Sequence, residues 1–122
     1  MNVYALDVDG TLECGYPQPL MGRITLSQLK ALSDKGHIIA IVSDSPASLA
    51  NDALKQEFYL GHYLYLPNSS EDRVKSLLQL QEKYPNASNY YYIDNWLGNI
   101  KIINSTKFQF ILEEDFPKLF SS

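Results

Sequence analysis

Asp7 and Asp9 stand at the end of the apolar run Tyr4-Ala5-Leu6, in the stretch YALDVDGTLE, with Gly10 and Thr11 directly after them. Like charges that close raise each other's pKa and cost free energy unless something offsets them. Two later apolar runs also end in polar groups, Ser43 and Asp44 after IIAIV and Asp94 with Asn95 after YYYI. Acids after strands often do no more than cap the next helix, and capping accounts fully for Ser45 ahead of Pro46. It gives no reason for a second acid two residues beyond Asp7. A hard-cation site does: magnesium takes oxygen ligands, usually one or two carboxylates completed by water and phosphate. Asp7 and Asp94 supply the carboxylates, and the cation keeps Asp7 ionised beside Asp9. A carboxylate so held can attack phosphorus while a second carboxyl protonates the leaving oxygen. Asp7 and Asp9 are thus the catalytic candidates. Ser43 and the amides opening the following helix are candidate contacts for phosphate oxygens.

Such residues need strands to deliver them to one edge. Residues 2–6 read as a short buried strand, and residues 12–22, with two prolines and two glycines, as a loop or flap. Thr25 and Gln28 form a capping box, with Ile24 and Leu29 as its hydrophobic staple. The helix they open carries Leu26, Leu29 and Leu32 on one face and ends at Gly36. The run 37–43 is continuously apolar, as a strand buried on both faces requires. A helix from Ser45, a strand at 62–67, a helix from Ser69 or Ser70 to Tyr84, a strand at 90–94, an ambiguous segment at 96–104, a strand at 107–112 and a short helix within 113–120 complete the order. Strands alternating with helices predict right-handed crossovers and a parallel sheet. The expectation is an α/β fold: a single Rossmann-like domain over 1–122, with a parallel five-stranded sheet, helices on both faces and a flap at about 12–22. In such sheets ligands bind beyond the carboxyl ends of the strands.

The bulk properties agree. A chain of 122 residues with 45% hydrophobic and 20% charged residues reads as one soluble domain. Its net charge of −4 without a basic block argues mildly against nucleic acid as the partner. No apolar run approaches a membrane span, no secretory pattern opens the chain, and Cys14 is the single cysteine, so the expected home is cytoplasmic and membrane-free. The sequons at Asn68, Asn86 and Asn104 then carry no glycan. His37 and His62 each stand alone at a strand start, and Cys14 has no histidine near it in sequence. Tyr16 and Trp96 adjoin the proposed site, as packing or as an apolar wall for a leaving group.

The stretch DVDGTL resembles the first motif of the haloacid dehalogenase-like hydrolase superfamily, Asp-x-Asp-Gly-Thr, and the family's other motifs follow in order. IIAIVS is similar to the second, an apolar strand ending in Ser or Thr. YYYIDNWLGNI is similar to the fourth, nearest to the Asp-Asp-x-x-x-Asn-Ile form of small capless members such as magnesium-dependent phosphatases. The resemblance covers about residues 2 to 112. It implies Asp7 as nucleophile and Asp9 as general acid and then base. Thr11, Ser43 and Asp44 fall on the phosphate side. Arg73 or Lys75 becomes the basic residue of the third motif, and Asp7, Asp9, Asp94 and Asn95 become the magnesium ligands. Asn95 stands where the pattern has a second Asp, and Asp44 where an uncharged residue is usual.

Neither the interval from Asp7 to Ser43 nor that from Ser43 to Arg73 has room for a cap domain. The implied site is open, suited to a large phosphorylated substrate or closed by a neighbouring subunit of a homo-oligomer. Three functions compete: a magnesium-dependent phosphomonoester hydrolase working through an aspartyl-phosphate, a catalytically silent phosphate- or cation-binding module of the same fold, and a phosphoacceptor signalling domain. The last needs an aspartate at the end of the third strand, where this chain has Leu66-Pro67.

Overall fold

In the computed structural model, residues 1–7, 10–12, 22–43, 63–65 and 70–120 are described, without the side chains of 43, 63–65, 70–72, 119 and 120. Strand β1 (Asn2–Leu6) is followed by helix α1 (Leu26–Asp34), β2 (Ile38–Ser43), β3 (Tyr63–Tyr65), α2 (Ser70–Lys83), β4 (Asn89–Asp94), a 3-10 segment (Leu97–Ile103), β5 (Gln109–Leu112) and the short helix α3 (Phe116–Phe120). The flap interior, the helix expected from Ser45, and Asp9, Cys14, Tyr16, Asp44 and His62 lie outside the described residues.

The expected sheet of five full strands needs correction. Its body is four parallel strands in the order β2-β1-β4-β5. Of the strand expected at 62–67, the described residues are those of β3, paired parallel to the outer edge of β2 over Ile41–Ser43. The strand expected at 107–112 is shorter, beginning at Gln109.

Alternation along the strands divides two cores. Tyr4, Leu6, Ile39, Ile41 and Ile93 face α1 and α3, meeting Leu29, Leu32 and Phe116. Val3, Ala5, Ala40, Val42, Tyr90 and Tyr92 face α2 and the 3-10 segment, meeting Leu77, Leu80 and Ile102. Each fully buried aliphatic side chain adds about 1.5–3 kcal/mol. Burial on both faces explains why Val3–Leu6 and Ile38–Val42 are apolar without alternation.

The start of α1 forms as its sequence predicts. The Gln28 N–H donates to Thr25 Oγ1 at 3.1 Å and the Thr25 N–H donates to Gln28 Oε1 at 3.0 Å. Ile24 and Leu29 are buried together. The helix closes where the Gly36 N–H reaches the Ser33 carbonyl and the His37 N–H the Leu32 carbonyl, the paired bonds of a Schellman ending. No helix among the described residues is long and apolar enough to cross a membrane.

His37 then ties this helix end to β1. Its Nδ1 accepts the Asn2 N–H at 3.0 Å, which requires a neutral ring. Burial, then the terminal ammonium, then Lys35 hold its pKa below the usual 6.5. A lowered folded value means a contribution to stability that is complete above the unfolded pKa and lost as pH falls through the folded one. Between about pH 7 and pH 5 the denaturation midpoint of the wild type should therefore fall further than that of His37→Gln. Equal falls would show that the ring carries no such linkage.

Candidate functional site

Strand order reverses direction between β1 and β4: the chain moves outward from β1 to β2 and β3, then returns to the other side of β1. A cleft at such a switch point is where open parallel sheets bind ligands. Asp7 follows β1 and Asp94 ends β4, so both carboxylates flank it. Alternation carries Asp7 to the same face as Val3 and Ala5, and Asp94 to that of Tyr90 and Tyr92. Both point toward α2, whose inner positions Arg73, Ser76, Leu77 and Leu80 follow helical spacing.

Arg73 lies in the first turns of α2, level with that edge, and joins the two acids. Its Nη2 is 3.2 Å from Asp7 Oδ1 and its Nη1 is 3.1 Å from Asp94 Oδ2. The three side chains are about nine-tenths buried or more. Among the described residues, one guanidinium thus faces two carboxylates. Lys75, the other basic candidate, is exposed.

Asp94 is densely held. Its Oδ2 also accepts from the Tyr92 hydroxyl at 2.7 Å and from Asn99 Nδ2 at 2.8 Å, and its Oδ1 accepts the Trp96 N–H at 3.0 Å. The Tyr92 hydroxyl in turn accepts from Arg73 Nη1 at 2.7 Å. Burial first, and the Asp94 charge second, push the Tyr92 phenol well above its ordinary range, so it stays a neutral donor. Tyr92 and Asn99 were not among the residues expected here. Tyr92 is legible two positions before Asp94 on one strand face, and Asn99 is the Asn of the Asp-Asp-x-x-x-Asn-Ile pattern.

Thr11, expected on the phosphate side, is fully buried, and its hydroxyl lies 3.1 Å from Asp7 Oδ2 and 3.4 Å from Asn95 Oδ1. Here it supports the Asp7 carboxylate. Gly10 makes the turn that brings Thr11 back: its φ is +76°, and a Cβ there would lie 2.5 Å from Asn95 Nδ2. Asn95 is exposed and its amide end can swing, so the cost of Gly10→Ala comes chiefly from the left-handed backbone. Equilibrium denaturation should show a loss of about 1–2 kcal/mol. A neutral result would mean the turn relaxes. The flap's two ends are pinned together. The Gly22 N–H donates to the Leu12 carbonyl and the Ile24 N–H to the Thr11 carbonyl, while a Cβ on Gly22 would run into the Thr11 backbone. Glu113, buried, secures the second end by accepting the Arg23 N–H at 2.8 Å. Nothing in its local sequence marked it.

Ser43 ends β2 at the same sheet edge, paired with Tyr65, and its side chain is not described. Trp96 is exposed, with its indole over Gly98. Among the described residues no three His, Cys, Asp or Glu side chains gather as a metal site. Asp7, Asp94 and Asn95 nonetheless offer oxygen donors only, and two carboxylates completed by water and phosphate are a set magnesium accepts.

No protein-family model matches the chain, and no curated protein and no solved structure matches it. Its class is therefore defined by architecture: a small single-domain α/β fold with a parallel sheet flanked by helices on both sides.

Proposed function

We propose that the chain is a magnesium-dependent phosphomonoester hydrolase of the capless haloacid dehalogenase-like type. The observation that carries this reading is the Arg73 guanidinium shared by Asp7 and Asp94 at the switch point of the sheet. Two buried acids around one base, at the edge where open parallel sheets bind ligands, suit a site that receives a cation and a phosphate.

Asp7, oriented by Arg73 on one oxygen and Thr11 on the other, attacks phosphorus, and the bond from phosphorus to the leaving oxygen breaks. Asp9, two residues on, gives its proton to that oxygen and then takes one from the water that releases inorganic phosphate from Asp7. Asp94, held by its four donors, would share magnesium with Asp7 and Asn95. When bound, magnesium supplies the positive charge that lets a phosphate dianion approach an ionised carboxylate. In this reading Ser43 and Asp44 would contact the phosphate, and Arg73 rather than Lys75 takes the basic role. A cytoplasmic, membrane-free setting belongs to the same reading.

The test is release of phosphate from a panel of aryl and alkyl phosphates, with magnesium and with chelator. Turnover that needs magnesium supports the reading; none above an Asp7→Asn control across the panel rejects it.

One observation favours a second reading. Asp94 already receives four donors, and Asn95 brings no charge, so the chain can be a silent module that keeps the fold without turnover. Calorimetry with magnesium and beryllofluoride separates the two. Joint tight binding lost in Asp7→Asn belongs to the enzyme, and no binding to the module.

A further inference from the structure

Beyond the carboxyl ends of β4 and β5 lies a cleft of about 310 Å³ lined by Arg23, Asn95, Leu97, Leu112, Glu113 and Glu114. It is continuous with the site through Asn95, whose Oδ1 is 3.4 Å from the Thr11 hydroxyl that holds Asp7. Its volume is at the small end of ligand pockets, about 300–1,000 Å³, which suits a fragment of a few heavy atoms. Two of its walls are leucines, and Leu97 is half exposed, a surface for methylene groups rather than for a sugar.

The charges of the cleft are unequal. Arg23 is met by Glu113, through a 3.7 Å ion pair and the backbone bond already described. Glu114 is exposed and forms no ion pair among the described residues. Together the cleft and the adjoining site hold four described carboxylates, Asp7, Asp94, Glu113 and Glu114, against two guanidinium groups, Arg23 and Arg73. A leaving group with further negative charge meets repulsion there, and one ending in an ammonium finds an acceptor at Glu114.

We infer that the cleft holds the leaving group of the substrate, and that this group is a short alkyl chain ending in an ammonium, with Leu97 and Leu112 against its methylenes and Glu114 at its charge. This rests on the phosphatase reading for the word leaving, but not for the binding.

Three esters of matched length test it: aminopropyl, butyl and carboxypropyl phosphate, which end in an ammonium, a methyl and a carboxylate. They are titrated into the protein with chelator in place of magnesium, so that none is consumed, following the amide resonances of Leu97, Leu112, Glu113 and Glu114. The expected order of affinity is ammonium, methyl, carboxylate, with about fivefold between the first two, the upper range for a partly exposed ion pair. Glu114→Gln brings that ratio close to one, and Glu114→Lys reverses the order; the residue is exposed, so both variants fold. Equal affinities, a preference for the carboxylate, or shifts confined to residues outside the cleft overturn the inference. Turnover by the wild type is read separately. The predicted order without turnover keeps the cleft and rejects the phosphatase, whereas turnover of all three esters at equal kcat/KM keeps the phosphatase and rejects the cleft.

Discussion

Replacing Arg73 by Met is expected to lower the stability of the fold by about 3–5 kcal/mol, the penalty for leaving buried charge uncompensated. The guanidinium stands between two carboxylates that are almost fully withdrawn from water. Met fills similar volume, so the loss comes from charge rather than from a cavity. Tyr92 cannot make it good, because its phenol, held neutral by burial, already donates to Asp94. Arg73→Lys should fall between wild type and Met, since an ammonium lacks the planar fork that reaches two acids at once. Denaturant unfolding measures the series. A loss below about 1 kcal/mol for Arg73→Met would mean that the carboxylates are solvated or protonated in the native state, against the burial described.

Asp7→Asn should do the opposite, keeping the fold and removing the proposed turnover. It removes one of the two described acids that face Arg73 and leaves Asp94 paired with it, while Asn Oδ1 still accepts a hydrogen bond. The expected stability lies within about 1 kcal/mol of the wild type. Phosphate release should fall by about 10³-fold or more, because an amide oxygen is not a nucleophile toward phosphorus. Denaturation and turnover measured on one preparation give both values. A variant that unfolds would mark Asp7 as structural, and one that keeps its rate would place the nucleophile elsewhere.

The contrast between these variants also shows what the sequence makes legible. Asp7 and Asp94 could be found because each follows an apolar run long enough to be a buried strand, and the carboxyl edge of a parallel sheet is where such runs deliver polar groups. The capping box at Thr25 and the helical ending at Gly36 were readable because both are local chemistry within a few residues. Arg73 could not be told from Lys75 in that way. The choice depends on the rotation of α2 about its axis, which only the buried positions Leu77 and Leu80 set. Glu113 was hidden for a stronger reason. Its partner is the backbone N–H of Arg23, and no side-chain pattern records a bond between positions so far apart in the chain.

Transfer of the phosphoryl group to Asp7, as proposed, is tested most directly by acid-quenched mass spectrometry. Protein mixed with a reactive aryl phosphate and magnesium, then quenched in acid, should carry one added phosphoryl group on the peptide that contains Asp7, and Asp7→Asn should carry none. A wild type that turns over substrate with no phosphoryl group on Asp7, or with one on another residue, would contradict the account.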